Sequence, residues 1–428
     1  MGARIRKPRI LMFLMYPLWG SGSGVYAREL AQSLARKGYE IAIACPDRRR
    51  VPGVRIFHVD LPFMAAFTSH PEHPHAKRYS ELRADQINEM YQAFLRGFTR
   101  AVETFEPDVI HAHHAAHTAW IANYCRAVYR INYLVTVHGT DVYNATLDRR
   151  FVVPTIDALN HADMISVVSG QTRKWMFRVY GKDFTSKVRT ITGGVDSRAF
   201  PAHGPAHRVE RQYGLRGKKV VLFTGKLIPT KGVTYLIRAA RQMQAEVFVL
   251  GDGPERKRLM QQASRNPHVH FPGYVKGEAL AEFYRRADVM VVPSVWDEPL
   301  GLITLEAMSS GTPVVASKRG GIGSVVKHGQ NGFLVRARSG AAIARAVNKL
   351  LADGQLRTRM STEARRLVEE RFDWRLIADS FVNHYQGAAS QTRRRHAHKQ
   401  APHLSAKDSE RGKHELDIAK KTYGVPSK

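Results

Sequence analysis

The chain has 428 residues, which is too long for one ordinary hydrophobic core and favours two domains. Its hydrophobic content of 43% is typical of a globular protein, and its two cysteines, Cys45 and Cys125, lie far apart without metal-ligand spacing, which argues against a disulfide framework or a zinc site. A formal net charge of +29 indicates attraction to polyanions: nucleic acid, an anionic membrane face or a phosphate-bearing substrate.

The amino terminus carries basic residues before an apolar run at residues 10–16, as a secretory signal peptide does. A strand is favoured instead, because Pro8 precedes a run of only strand length and a helix pattern at residues 25–37 leads to a second apolar run at residues 39–45. This order predicts a β-α-β unit. No apolar run reaches the ~20 residues of a membrane span. The two isolated cysteines fit a reducing compartment, so we expect a cytoplasmic protein.

A glycine-rich loop joins the first predicted strand to the first predicted helix. Gly22 and Gly24 in this loop would let backbone amides approach a phosphate or a sugar. Such loops also serve as plain tight turns, and the spacing is not that of the dinucleotide-binding fingerprint. The loop is therefore a candidate binding element and a candidate turn.

Three histidines, His70, His73 and His75, form a cluster that invites a metal-site interpretation. Prolines are interleaved with them, which favours an exposed loop. We therefore predict no metal at this position.

Further histidines stand at the carboxyl ends of two predicted strands, at residues 107–114 and 132–141. His113 and His114 end the first strand and His138 ends the second. Histidines at such places are more often structural, but parallel strands would bring them to one edge of a sheet, where ligands bind.

The predicted first domain closes after residue 200, and residues 201–217 are rich in proline, histidine and charge, as in a linker. A strand at residues 219–224 then leads to Lys226 and Lys231, which flank a glycine turn before a helix. This arrangement places cations and backbone amides where a diphosphate could lie. A solvated basic turn is the alternative for either lysine taken alone.

The most informative stretch is residues 294–311, which lies between two buried β-branched runs and predicts a strand-loop-helix-strand unit. Pro299 keeps Glu298 out of a helix, whereas Glu306 falls on the helix and points back toward its amino terminus. Two carboxylates at this edge suit the hydroxyls of a sugar and a ribose. The alternative is that they merely complement the helix dipole.

Glu298 and Glu306, separated by seven residues within Asp-Glu-Pro-Leu-Gly and Glu-Ala-Met, resemble the signature of retaining glycosyltransferases of family 4. Further similar segments are Gly-Asp-Gly-Pro after residues 247–250, the segment at residues 269–275, and Asn-Gly-Phe-Leu-Val at residues 331–335. The resemblance covers roughly residues 8–387. Lys226 departs from the usual arginine of this family, so the charge is kept but the bidentate fork is lost.

The resemblance implies an α/β protein of the GT-B fold: two Rossmann-like domains face each other across a cleft, and a C-terminal helix returns to the N-domain. We predict an acceptor-binding domain at residues 1–200, a nucleotide-sugar-binding domain at residues 201–373 and a crossover helix at residues 374–388. Residues 389–428, with few large apolar groups, are predicted to form a basic disordered tail.

The resemblance also implies roles for individual residues. Glu298 orients the transferred sugar, Glu306 binds the ribose, and His138 contacts the far edge of the sugar. Lys226 and Lys231 stabilise the departing diphosphate, and the backbone around Tyr274 and Val275 holds the base. The catalytic candidates are His138, Glu298, Lys226 and Lys231, and the donor-binding candidates are Gly22, Gly24, Lys226, Lys231, Tyr274, Val275, Glu298, Leu300, Gly301, Leu302 and Glu306.

We therefore predict a hexosyltransferase that takes a nucleoside-diphosphate sugar and needs neither a cofactor nor a metal, since the chain contains no Asp-x-Asp sequence. Expected acceptors are a sugar, a lipid-linked molecule or a phosphorylated small molecule, and contact with an anionic membrane at its inner face would use the positive charge. A nucleotide-sugar epimerase is the alternative enzyme. A polyanion-binding protein is the alternative of another class, although no nucleic-acid partner is expected because aromatic platforms are not interleaved with the basic residues.

Overall fold

Apolar strands alternate with amphipathic helices along the chain, and the computed structural model folds them into two α/β domains. The structure describes residues 6–400 except 69, 71, 74, 182 and 183. The strands of both domains read as nearly continuous apolar runs because helices cover both faces of each parallel sheet. The predicted fold of two Rossmann-like domains is confirmed.

The first domain contains nine strands and six helices within the described residues. They are β1 (Arg9–Phe13), α1 (Gly22–Arg36), β2 (Glu40–Cys45), β3 (Arg55–His58), β4 (Ala65–Ala66), β5 (Lys77–Arg78), α2 (Ala84–Phe105), β6 (Val109–His113), α3 (His117–Val128), β7 (Tyr133–Val137), α4 (Thr140–Leu147), α5 (Val152–His161), β8 (Met164–Val167), α6 (Gly170–Tyr180) and β9 (Val188–Thr190).

The second domain begins with a helix and is followed by the C-terminal helices. Its elements are α7 (His207–Tyr213), β10 (Val220–Thr224), α8 (Val233–Ala240), β11 (Glu246–Leu250), α9 (Arg256–Ala263), β12 (Val269–Gly273), α10 (Gly277–Arg286), β13 (Val289–Val292), α11 (Leu302–Ser309), β14 (Val314–Ser317), α12 (Ile322–Val325), β15 (Gly332–Val335), α13 (Gly340–Ala352), α14 (Gly354–Arg371) and α15 (Trp374–Gln400).

Each main sheet is parallel throughout and reverses its strand order near the middle. The first sheet has the order β3-β2-β1-β6-β7-β8-β9, and the second has the order β12-β11-β10-β13-β14-β15. The order therefore reverses beside β1 in one domain and beside β10 in the other. In open parallel sheets the crevice outside the carboxyl ends of the strands at such a point is where ligands bind.

Residues 201–217 were predicted to be a linker, but part of this segment folds as α7 and packs on the second domain. Val209 and Leu215 are buried in its core, and Arg208 forms an ion pair with Glu282 at 2.8 Å. The segment is rich in proline, histidine and charged residues, so its composition did not indicate that Val209 and Leu215 would be buried.

The helix α15 begins at Trp374 and runs across to the first domain. Trp374 is fully buried there, and the hydroxyl of Tyr385 lies 2.7 Å from Nδ1 of His111 on β6. The prediction that this helix ends at residue 388 is wrong, because it continues to Gln400.

Specific contacts hold the additional turns of α15. Ala389 and Thr392 are buried, and the Thr392 hydroxyl accepts a hydrogen bond from the amide of Asn132 at 2.9 Å. Arg393 forms an ion pair with Asp108 at 2.8 Å. Small residues and paired charges thus dock a segment whose composition predicted disorder, and residues 401–428 of the predicted tail lie outside the described residues. None of the helices in the described part of the chain has the length and apolar character needed to cross a membrane.

Candidate active site

A cleft of about 460 Å³ lies between the two domains, at the carboxyl ends of both main sheets. Both domains contribute to its walls. Among the predicted site residues, those that line it are Gly22, His138, Lys226, Lys231, Glu298, Leu300, Gly301 and Leu302. These residues come from loops that are distant in sequence and meet only in the folded protein.

The loop between β13 and α11 carries Glu298 and is held from behind by the segment after β14. The amide of Gly321 donates to the carbonyl oxygen of Glu298 at 2.6 Å, and the amide of Gly320 donates to the Asp297 carboxylate at 3.1 Å. Arg319 forms an ion pair with Asp297 at 3.1 Å. These contacts fix the backbone of Glu298 at the cleft.

The Glu298 carboxylate is buried and paired. Its Oε1 atom accepts hydrogen bonds from the hydroxyl of Ser294 at 2.7 Å and from Nζ of Lys231 at 2.5 Å. Burial alone would raise the pKa of Glu298, but the Lys231 ammonium and the hydrogen bonds lower it below its usual value. Glu298 is therefore ionised at neutral pH and rigidly oriented.

Lys226 lies near this pair, just after β10. Burial lowers the pKa of Lys226 to about 8, and the positive charge of Lys231 lowers it further while Glu298 opposes the change. The two ammonium groups make this side of the cleft electropositive and suit it to a multiply charged anion.

Glu306 is placed differently from Glu298. Its Oε2 atom accepts a hydrogen bond from the hydroxyl of Tyr284 at 2.8 Å, and Tyr284 also contacts the hydroxyl of Thr224 at 2.7 Å. Burial raises the pKa of Glu306 above its usual value. Glu306 does not line the cleft described above, although its electrostatic neighbours Arg28 and Glu29 belong to α1 of the other domain.

His138 reaches the cleft from the opposite domain through a loop organised by Asp141. The Asp141 carboxylate accepts hydrogen bonds from the amides of His138 at 3.2 Å and Gly139 at 2.7 Å. Gly139 has φ +94°, and a Cβ there would lie 2.9 Å from the ring of Pro299, so the two domains approach each other closely at this point. Sequence analysis recognised the strand end but missed the role of Asp141.

The ring of His138 is backed by a second histidine. Its Nε2 atom lies 3.2 Å from Nδ1 of His113, which is fully buried. Burial lowers the pKa of His138 well below its usual value, and that of His113 likewise. Both rings are therefore neutral at physiological pH, and one must donate to the other.

Three predicted donor-binding residues have other surroundings. Gly24 is buried beneath the glycine loop, where a Cβ would lie 2.4 Å from the carbonyl oxygen of Pro17, so close packing explains this glycine. Tyr274 is 57% exposed just after β12, and Val275 packs partly against the core of the second domain. Neither lines the cleft described above. The pKa of Tyr274 is raised by burial and by the charge of Glu72, a residue of the first domain.

Aromatic residues on both sides of the cleft were missed by sequence analysis. Tyr143 on α4 and Trp296, two residues before Glu298, both line it, with ring centroids 5.9 Å apart. The signal was present, since Trp296 falls inside the most informative stretch of the sequence. Within residues 6–400, the five gaps excepted, no group of three or more His, Cys, Asp or Glu side chains could hold a metal ion.

Two known families match successive parts of this chain. Residues 20–198 match the family described as Glycosyltransferase Family 4, and residues 208–367 match the family described as Glycosyl transferases group 1. The two matches divide near the boundary between the two structural domains.

Individual proteins are also similar to this chain over nearly its whole length. An uncharacterized glycosyltransferase of Methanocaldococcus jannaschii is 27% identical over 390 residues, which cover 85% of this chain and 94% of the relative. A D-inositol 3-phosphate glycosyltransferase of Geodermatophilus obscurus is 29% identical over 409 residues, covering 86% of this chain and 85% of the relative. The crystal structure of Anabaena HepE in complex with UDP-glucose has a TM-score of 0.71 at 20% identity, covering 89% of this chain and 100% of that one.

Proposed function

The chain belongs to the glycosyltransferases of family 4 and has their GT-B fold, and we propose that it moves a hexosyl group from a nucleoside-diphosphate sugar to an acceptor hydroxyl with retention of configuration. The names of its relatives support the general activity, and HepE was crystallised with UDP-glucose.

The observation that carries the proposal is the cluster of Lys226, Lys231 and Glu298 on one wall of the cleft. Lys226 and Lys231, which follow β10 in the chain, line the same cleft as Gly301 and Leu302 at the amino-terminal end of α11. The unpaired backbone amides of a helix amino terminus favour an anion. A diphosphate leaving group develops negative charge as the glycosidic bond breaks, and this wall would stabilise that charge.

Glu298 is assigned to orientation of the transferred sugar. Its Oε1 atom already accepts hydrogen bonds from Ser294 and Lys231, so we assign Oε2 as the oxygen that accepts a hydrogen bond from a sugar hydroxyl. The acceptor hydroxyl would attack from the face that the diphosphate leaves, which retains the configuration. His138, neutral and on the opposite wall, would contact the far edge of the sugar.

The nucleoside is assigned to the region beyond the lysines. Glu306 would accept hydrogen bonds from the ribose hydroxyls. These bonds would replace the hydrogen bond from Tyr284 or form beside it. The backbone at Tyr274 and Val275 would hold the base. Both positions lie outside the cleft described above but beside residues of the facing domain, as the influence of Arg28 on the pKa of both Tyr274 and Glu306 indicates.

Peripheral contact with an anionic membrane is a further part of the proposal. Arg6, Lys7, Arg393 and Arg394 line a groove of about 360 Å³ between the start of the first domain and α15. Arg393 is neutralised by Asp108, and each other basic residue near an anionic bilayer would contribute about 1 kcal/mol. Co-sedimentation with anionic vesicles at low and high salt tests this contact, and equal recovery with neutral vesicles would contradict it.

Ligand binding gives the most direct test of the proposed function. Thermal-shift titration with UDP, GDP and ADP, and with the matching nucleosides, should identify one diphosphate that binds. Lys226→Ala and Lys231→Ala should weaken that diphosphate by about 1.5 to 3 kcal/mol and the nucleoside far less, because a charge-assisted contact is lost. Lys218→Ala is the matched control, because Lys218 lies just before β10, at the end of the strand away from the cleft, where it pairs with Glu246.

Equal losses of affinity for the diphosphate and the nucleoside would contradict the assignment of the lysines.

Product analysis separates a transferase from an epimerase and from a polyanion-binding protein. A transferase consumes donor sugar faster when an acceptor is added, whereas an epimerase converts the donor without one. A protein that only binds polyanions would do neither.

A further inference from the structure

The first-domain wall of the cleft differs in character from the lysine-rich wall opposite. Thirteen described first-domain residues line it, and the argument rests on six of them: Tyr16, Ser23, Thr68, His138, Thr140 and Tyr143. Among these described lining residues there is no lysine, arginine, aspartate or glutamate. The wall consists of hydroxyl groups, aromatic rings and two histidines.

Neither histidine brings a positive charge to this wall at neutral pH. Burial lowers the pKa of His70 to about 4, with a further contribution from the charge of Lys226. Burial also lowers the pKa of His138 well below its usual value. The nearby Arg49 is already engaged, since it forms ion pairs with Asp47 at 2.7 Å and Glu72 at 2.8 Å.

Several hydroxyl groups on the wall are left to bind a ligand. The hydroxyls of Ser23, Thr68 and Thr140 make no hydrogen bond to another described residue. The Tyr16 oxygen accepts from the amide of Phe67 at 3.0 Å, which leaves its proton to be donated. Hydroxyl groups that both donate and accept are matched to the hydroxyls of a sugar.

Aromatic rings from both domains border the same space. The ring of Tyr143 meets that of Trp296 edge-on, with an interplanar angle of 73°. The ring of Trp175 on α6 lies near that of Trp296, at a centroid distance of 6.4 Å. Tyr143 remains 39% exposed in spite of this contact. An exposed aromatic ring beside unpaired hydroxyls suits the apolar face of a sugar ring.

Given the proposed function, we propose that the acceptor group entering this cleft is an uncharged sugar ring, bound by the hydroxyls of the first-domain wall and stacked against Tyr143. A phosphate on that ring would lose its hydration without gaining a cationic partner on this wall, so phosphorylated rings are disfavoured. The cations that line the same cleft, Lys226 and Lys231, belong to the second-domain wall and are assigned to the diphosphate of the donor.

The test compares matched acceptors under one donor. UDP-glucose, GDP-mannose and ADP-glucose are first screened with the wild-type protein for release of nucleoside diphosphate. With the active donor, methyl glucoside and 4-nitrophenyl glucoside are compared with glucose 6-phosphate and inositol phosphate. The two neutral glycosides should give kcat/KM values at least tenfold above those of the phosphorylated compounds.

The role of Tyr143 is tested in the same assay. Tyr143→Ala should raise KM for the neutral glycoside on the order of tenfold, whereas Tyr143→Phe should stay within about twofold of wild type because the ring is retained. Leu147→Ala is the matched control, since Leu147 is exposed one turn further along α4 and does not line the cleft.

Two kinds of failure are distinguishable. If the protein neither binds nor turns over any donor, the proposed function fails and this inference falls with it. If donor is hydrolysed but neutral glycosides do not accelerate the reaction, or a phosphorylated ring is preferred, this inference alone is overturned. An unchanged acceptor KM in Tyr143→Ala would likewise overturn the stacking assignment.

Discussion

Lys226 should make nucleotide binding dependent on pH in the range just above neutrality. The family motif carries an arginine where this chain has Lys226, and burial beside Lys231 lowers the pKa of Lys226 to about 8. The free protein thus carries this charge below pH 8 and loses it above. A bound diphosphate favours the charged form, so affinity is highest below pH 8 and falls as the pH rises through that value.

The magnitude follows from the fraction of Lys226 that is charged. With a pKa of about 8, roughly nine-tenths is protonated at pH 7 and roughly one-tenth at pH 9, so the affinity should fall by nearly tenfold, or about 1.4 kcal/mol. Other groups at the cleft titrate elsewhere: the pKa values of His70, His138 and Glu298 are all lowered. A phosphate with a pKa near 6 is already about nine-tenths ionised at pH 7, so it changes little over this interval.

The measurement is calorimetric titration of the preferred nucleoside diphosphate at pH 7, 8 and 9 and constant ionic strength. Lys226→Arg should bind with nearly constant affinity, because a guanidinium stays charged throughout. Lys218→Arg, which keeps its ion pair with Glu246 far from the cleft, should follow the wild type. A wild-type affinity that is flat within twofold, or an equal slope in Lys226→Arg, would refute the reasoning.

Five other changes give further tests. Glu298→Gln and Glu306→Ala should each lower kcat by two or more orders of magnitude with an unchanged circular dichroism spectrum, and near-normal turnover would remove their assignments. Activity should persist in EDTA, and a loss that manganese restores would show that a metal is needed. His113→Phe should lower kcat by about three- to tenfold by deleting one hydrogen bond, and its effect should disappear in a His138→Ala background if it acts only through that ring. Burial opposes ionisation of Glu246, but hydrogen bonds from two histidines and a lysine lower its pKa to about 2. Its stabilising effect is therefore present above the ordinary pKa near 4.5 and is lost as the pH falls toward 2. Glu246→Gln should reduce the difference in melting temperature between pH 6 and pH 3, and an unchanged difference would argue against this pairing.

Much of the site could be predicted because strand ends in a parallel sheet converge. His138, Lys226 and Glu298 each follow an apolar run of strand length, and that position alone assigns them to the carboxyl edge of a sheet. The alternation of strands and helices likewise predicted both Rossmann-like domains and a C-terminal helix. These features depend on local periodicity, which a sequence displays directly.

Other features depend on contacts between segments that share no local pattern. The last turns of α15 are helical because Thr392 and Arg393 meet Asn132 and Asp108, whereas composition alone predicted disorder. The position of Glu306 against a tyrosine also follows from tertiary packing, since its place on the helix indicated only a general direction.

The sequence by itself therefore determined the two sheets, the carboxyl ends of their strands and the residues that follow the key strands. Only the tertiary structure decided which side chains meet across the cleft. Tyr143 and Trp296 come from different domains, and His113 supports His138 from a neighbouring strand. The physical reason is that hydrophobic periodicity specifies how each element is buried within its own domain, whereas the pairing of side chains across domains depends on how the two finished surfaces fit together.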